Sequence, residues 1–199
     1  MTTYRINMPE NDEIQASSAS GPFRSIRPGH RTDHAFLVHL QKAWSANVGF
    51  LPATALLRYL DNGQVLVVEE NGQLAGYLIW TFRPDGLVRL PQVAIEAELL
   101  RTTLGSRLMR RIVTAARKNH CSVVRLKSRS DIPANRFWPE FGFTATAVIA
   151  RPTSRGLPLI EWTLQLADSA TIADVMATGG KHFKIGKAPP PTAPHVRPS

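Results

Sequence analysis

Residues 91–143 read PQVAIEAELLRTTLGSRLMRRIVTAARKNHCSVVRLKSRSDIPANRFWPEFGF, and their order of patterns decides the fold. An apolar run closing on Val93, Ala94 and Ile95 reads as a strand. A loop through Arg101, Thr102, Thr103, Leu104, Gly105 and Ser106 enters a helix over 104–118. In that helix Leu104, Leu108, Ile112 and Ala115 recur at helical spacing. A strand over 122–127 and a short helix over 134–141 follow, and Gly142-Phe143 ends the stretch. A loop that opens onto a helix leaves several backbone N–H groups without intrahelical partners, and the helix dipole favours an anion there. The loop is therefore a candidate seat for a phosphate-bearing ligand.

The same stretch carries the chain's charge. Between 101 and 136 stand ten cations (Arg101, Arg107, Arg110, Arg111, Arg117, Lys118, Arg125, Lys127, Arg129 and Arg136) and one anion, Asp131. That is +9, equal to the net charge of all 199 residues. Such a stretch is either a solvated basic face or a surface for a polyanion, whether a nucleotide cofactor, nucleic acid or an acidic protein.

The chain as a whole divides into three. Residues 1–22 are polar and read as a flexible leader. Residues 23–167 form the folded unit. Residues 168–199 end KHFKIGKAPPPTAPHVRPS and read as a basic, Pro-rich, extended tail, with ATIADVMATGG a candidate short helix before it. No apolar run approaches membrane-spanning length, and the N-terminus lacks a signal-peptide core. The expectation is a soluble cytoplasmic protein with no membrane partner. Cys121 is the single cysteine, so an internal disulfide and a Cys-based zinc cage are excluded. No His/Cys/Asp cluster at ligand spacing supports a metal.

Upstream, residues 23–27 read as a strand, and Asp33 as the cap of a helix to about 45 with Phe36, Leu37, Leu40 and Trp44 on one face. A second helix begins near Pro52. Strands over 65–69 and 75–82 are joined by Asn71-Gly72, a hairpin signal. A strand over 87–95 precedes the decisive loop. Strands over 143–150 and 159–166 close the unit.

This order, β-α-α-β-β-β-α-β-α-β-β, resembles the GNAT acetyltransferase superfamily over residues 23–167. QVAI resembles its fourth strand, LRTTLGSRLM its pyrophosphate loop, and DIPANRFWPEFGF its closing Asn-x-x-Ala-x-x-Phe-Tyr pattern with a following Gly-Phe. The resemblance implies a mixed α/β (α+β) fold. Its sheet has six to seven mostly antiparallel strands, splayed between the fourth and fifth and flanked by about four helices. It implies acetyl-CoA or another acyl-CoA in that splay. The pantetheine arm would lie on the backbone of Val93, Ala94 and Ile95, and the pyrophosphate on the amides of Arg101 to Ser106. The acceptor would be an amine, on a small molecule or a macromolecule, that attacks the thioester directly. Such catalysis rests on positioning and on stabilising the charge that develops at the carbonyl oxygen.

The chain departs from the family pattern in three respects. Its loop reads Gln/Arg-x-x-Gly-x-Gly/Ala, and here Leu100 and Thr103 stand in the first two fixed places. Its Asn falls at Asp131, with Asn135 one turn on to take over the role. Its general-acid Tyr falls at Trp138, whose indole donates a hydrogen bond but is no proton source. The candidates for chemistry are Gln92, which interrupts an apolar strand, Ser128 at the end of the fifth strand, Asp131 and Trp138. Glu69, Glu70, Glu96, Glu140, His34 and His39 are weaker candidates for a base.

Two other readings stand beside the acyltransferase. The phage Mom-type DNA-modification proteins share this fold. The basic stretch, the basic tail and the altered loop would suit a bacterial or phage protein acting on nucleic acid. The third reading is a non-catalytic binding module.

Overall fold

The computed structural model describes residues 22–150 and 156–166. Most of the expected leader and the whole basic tail, with its candidate helix, lie outside the described residues.

Seven strands form one sheet: β1 (Arg24–Pro28), β2 (Val65–Glu70), β3 (Gln73–Phe82), β4 (Leu87–Ile95), β5 (Val123–Arg129), β6 (Thr144–Ile149) and β7 (Leu159–Gln165). Their order is β1-β2-β3-β4-β5-β7-β6. Only β4 and β5 are parallel; every other pair is antiparallel. Among the described residues four α-helices flank the sheet: α1 (His34–Ala43), α2 (Ala53–Asp61), α3 (Leu104–Lys118) and α4 (Phe137–Phe141). This is the mixed fold and topology expected. The β2–β3 hairpin turns on Asn71 and Gly72, both at positive φ (53° and 76°), as a two-residue hairpin turn requires.

The sheet separates two cores. On one face Leu104, Leu108, Met109 and Ile112 of α3 pack on Leu78, Trp80, Val88, Leu90, Val124, Leu126 and Trp162. On the other, Leu37 and Leu40 of α1 and Leu56 and Leu60 of α2 pack on Val65, Val67, Tyr77, Ile79 and Ala94. Leu37, Leu40, Leu56, Leu108 and Ile112 are fully buried. Truncating any of them to Ala would cost about 2–5 kcal/mol. Cys121 is buried, and burial pushes its thiol up, so it stays protonated.

Asp33 has a different task from the one expected. Its side chain caps a 3-10 turn, Arg31–Asp33, rather than α1: its carboxylate accepts the His30 N–H at 2.7 Å. The carboxylate also takes both terminal nitrogens of Arg27, at 2.8 and 3.0 Å. Burial alone would raise this carboxyl. The Arg27 guanidinium and the His30 N–H outweigh burial and hold it below its ordinary value.

Two features of β4 open the sheet. Ile79 pairs with Gln92 and Thr81 with Arg89, so β4 spends three residue steps against two on β3. The extra residue is a bulge beside Pro91, which has no N–H to give a neighbour. Pairing with β5 ends one residue earlier, at Leu90↔Leu126. Beyond that point β4 stays with β3 while β5 stays with β7, up to Arg129↔Leu159. The two strands part, and a gap opens in the sheet.

The bulge also reverses which residues face which core. Val88 and Leu90 face α3, but Gln92 and Ala94 face α1 and α2, because a one-residue shift exchanges the faces of a strand.

Candidate active site

The β4 side of the gap offers backbone groups. Glu96 donates its N–H to the Ala75 carbonyl on β3 at 2.9 Å. By the alternation of an antiparallel ladder, the N–H and C=O of Ala94 then face β3, and those of Val93 and Ile95 face the gap. One of the gap-facing groups is engaged: Trp44 donates its indole N–H to the Ile95 carbonyl at 2.8 Å. That bond ties the segment between α1 and α2 to the rim of the gap.

At the carboxyl end of β4 the chain passes through a 3-10 turn, Ala97–Leu99, into the loop. Two of its residues are left-handed, Arg101 at φ 66° and Thr103 at φ 71°. Thr103, which stands where the loop pattern it resembles has its first glycine, adopts the backbone region that glycine enters without a penalty. The loop takes a glycine-like path on a residue for which that path is strained, at about 1–3 kcal/mol.

Local bonds hold this path. Thr102 donates its hydroxyl to the Leu99 carbonyl at 2.6 Å. Arg24, on the far edge strand, donates to the Thr102 carbonyl at 2.7 Å and lies 3.4 Å from the Thr103 hydroxyl. Its guanidinium is fixed from behind by Glu70 at 2.7 Å.

The first backbone bond of α3 runs from Arg107 to the Thr103 carbonyl, at 3.0 Å. The amides of Leu104, Gly105 and Ser106 precede it, and Thr103 makes no side-chain cap. A Cβ on Gly105 would meet only Phe137 Cζ, at 3.9 Å. The space over the first turn is open, and α4 stands beside it.

The residues singled out for chemistry fall into separate settings. Gln92 is 3% exposed and sits in a closed polar network. Tyr77 donates its hydroxyl to Gln92 Oε1 at 2.9 Å, and Gln92 Nε2 donates to Gln41 Oε1 at 2.7 Å and to the Gly49 carbonyl. Gln41 is bonded in turn to both the N–H and the C=O of Leu51, at 3.0 and 2.9 Å. Burial pushes the Tyr77 hydroxyl up, so Tyr77 acts here as a neutral donor.

Ser128 lies on the opposite face. It donates to Asn135 Oδ1 at 2.6 Å and accepts the Trp162 indole N–H at 2.9 Å. Asn135 also donates to the Arg129 carbonyl at 2.8 Å, which fastens the end of β5 to the 3-10 turn Pro133–Arg136 before α4. Asp131 is exposed and paired with both Nε and Nη2 of Arg129, each at 2.7 Å, and this bond holds its carboxyl low. Trp138 is buried in the α3 core, edge-on to Phe137 and Phe143 at 5.1 and 5.6 Å, and its indole N–H has no partner among the described residues.

The structure thus brings Ser128 and Asn135 together, and gathers Arg101 to Ser106 into one turn. Gln92, Asp131 and Trp138 stand apart from one another. Among the weaker base candidates, Glu69 holds Ser25 and Arg27, and Glu70 holds Arg24. His34 is bonded through Nε2 to the Ala53 carbonyl at 2.8 Å. His39 and Glu140 are exposed, and Glu96 is half-buried after β4. The described residues contain no group of three or more metal-ligating side chains. No helix among them is long and apolar enough to cross a membrane.

Sequence reasoning missed Arg24, Gln41 and the roles of Trp44 and Trp162. Their partners lie 78, 51, 51 and 34 residues away, so no local spacing signals them.

Known proteins fit this geometry. The profile of the Acetyltransferase (GNAT) family matches residues 33–143. No curated protein matches the sequence significantly. Among solved structures, Ard1 from Thermoplasma volcanium superposes with a TM-score of 0.67 at 19% identity, over 73% of this chain and 99% of that one. The ribosomal-protein-S18-alanine N-acetyltransferase from Escherichia coli gives 0.61 at 18%, over 73% and 96%. The Salmonella typhimurium protein yncA, solved with its cofactor acetyl-CoA, gives 0.62 at 24%, over 74% and 96%. At these identities the superpositions speak for the fold. The family profile covers more than half of the chain, and with the parted β4 and β5 strands and the loop at the head of α3 it places the protein in the Acetyltransferase (GNAT) family.

Proposed function

We propose that the protein is an acyl-CoA-dependent N-acyltransferase, with acetyl-CoA as donor and an amine as acceptor. The observation that carries this reading is the left-handed Thr103 at the entrance to α3, which keeps the amides of Leu104, Gly105 and Ser106 open to an anion. The residues present suit the donor. Phosphates would sit on that turn, with Arg101 adding charge, and the amide-rich arm would lie along Val93, Ala94 and Ile95. Asn135, held by Ser128, would border the β5 side. When bound, the donor supplies an activated acyl thioester.

The chain's own contribution is placement. Gap-facing N–H groups of β4 are the donors available to a carbonyl oxygen as charge develops on it. The amine nitrogen gains the acyl carbon and loses a proton. Formation of that bond would break the donor's C–S bond and release its thiol, with water taking the amine's proton and supplying one to the sulfur. Gln92 acts by fixing the segment over the gap. Ser128 and Trp138 act by shaping its walls. Asp131 holds Arg129 at the mouth.

The test is acetyl transfer by the full chain from labelled acetyl-CoA to a panel of amines. Labelled amide that disappears with Gly105→Val supports the reading. Acetyl-CoA that binds but acylates no amine would favour a binding module.

A second reading has its own observation. Arg110, Arg117 and Lys118 are exposed on α3, with no carboxylate at ion-pair distance among the described residues. If this face binds nucleic acid, affinity must fall steeply with salt, and the slope must shrink when all three are changed to Gln.

A further inference from the structure

Among the described residues, α1 and α2 pack on the sheet face away from α3 across β2, β3 and the end of β4. Farther along that face lies a short cationic row. Val88 and Leu90 of β4, and Val124 and Leu126 of β5, all point into the α3 core. Arg89, Arg125 and Lys127 alternate with them and so project from the opposite face. Arg89 and Arg125 are direct partners in the parallel register. Their strands lie about 4.8 Å apart, and Lys127 stands about 6.6 Å along β5.

Like charges placed opposite one another across strands are destabilising. One carboxylate answers three cations. Glu161 of β7 lies 3.6 Å from both Arg125 Nε and Lys127 Nζ and is itself only 17% exposed. Arg89 is exposed and has no carboxylate at ion-pair distance among the described residues. Three minus one leaves +2 on a patch two strands wide. Arg129, the next residue on this face of β5, is neutralised by Asp131 and adds nothing.

The position gives the row its meaning. Leu90↔Leu126 is the last β4–β5 pair, so Lys127 is the first β5 residue beside the gap. The phosphate-binding turn belongs to α3, on the other face. A donor entering from α3 would leave this face to the second substrate. We propose that the acceptor is an amine that carries carboxylates, seated on Arg89, Arg125 and Lys127. The inference rests on the acyltransferase reading. A compact acid fits better than a polynucleotide, because the row spans only two strands and is bounded on its β7 side by Glu161, which would repel a phosphate track running on past β5.

The test uses the full chain and four probes: free L-glutamate, triglutamate and trilysine with free N-termini, and a single-stranded oligonucleotide. Binding is read by calorimetry without acetyl-CoA, and acyl transfer by mass spectrometry with it. Triglutamate or glutamate should bind at least tenfold more tightly than trilysine. Which of the two becomes acetylated tells a peptide terminus from a free acidic amino acid. The double variant Arg89→Gln/Lys127→Gln should weaken the acid at least tenfold and leave acetyl-CoA affinity unchanged. Arg89→Glu/Lys127→Glu should turn the preference toward trilysine. Equal binding of the two peptides, indifference to the double variant, or stripe-dependent binding of the oligonucleotide alone overturns the proposal. If acetyl-CoA fails to bind while triglutamate binds through the row, the acyltransferase reading falls and the carboxylate seat stands.

Discussion

Two polar regions touch β4, and they differ in what remains unsatisfied. Around Gln92 each donor group meets an acceptor: Tyr77, Gln41, Gly49 and Leu51 close a network that pins the segment between α1 and α2. At the loop entering α3 the side chains are tied down by Arg24 and Leu99, yet three successive amides precede the first helical bond. Closed networks rigidify, because each buried partner left alone costs its desolvation. Open amides at a helix start are where an anion gains most. The contrast separates scaffold from site more sharply than residue type does.

The largest expected effect falls on the open region. Gly105→Val should weaken acetyl-CoA binding at least a hundredfold, about 2.8 kcal/mol, while the melting temperature of the free protein moves little. Only Phe137 Cζ lies near the added Cβ. Titration calorimetry and a thermal melt on one sample check both halves, and unchanged binding would place the donor elsewhere.

The closed region should respond in the opposite way. Gln92→Ala leaves Gln41, Tyr77 and the Gly49 carbonyl short of a partner, so urea unfolding should show a loss of about 2–3 kcal/mol. Acetyl-CoA affinity should change far less. A stable variant with lost activity would instead make Gln92 a group that touches substrate.

A smaller effect connects the two regions to the sheet edge. Arg24→Gln removes a charge-assisted bond to the Thr102 carbonyl, and acetyl-CoA affinity should fall about five- to tenfold with the fold intact. Glu70→Gln should reproduce part of that loss, since Glu70 fixes the guanidinium.

The smallest effect is a pH dependence far from the gap. Asp33 has a carboxyl held low in the folded chain. Its contribution to stability is complete above the ordinary carboxylate value of 3.8 and is lost as pH falls through the lower folded value. The urea midpoint should decline below about pH 4, and Asp33→Asn should remove that component. A midpoint that rises on acidification would contradict the sign.

Much of the fold was legible because helical and strand periods alternate cleanly along 34–166. Asn71-Gly72 and Gly142-Phe143 mark their turns without long-range help. The loop's place was legible from Gly105 and the helix behind it. Its conformation was not, since nothing local makes Thr103 left-handed; Arg24, 79 positions earlier, helps to hold it there. The face of Gln92 was equally hidden. It depends on a bulge at Pro91 that only the pairing with β3 reveals. Asp33 looked like the cap of α1 because both the turn and the helix begin within a few residues of it.

The central claim is that a loop with Thr103 in a glycine place still holds a CoA donor. Isothermal titration of the full chain with acetyl-CoA, and with desulfo-CoA as control, tests it most directly. Both should bind in the micromolar range, about −8 kcal/mol, and Thr103→Gly should tighten rather than abolish that binding. No heat at millimolar concentration for the natural chain and for Thr103→Gly alike would contradict it.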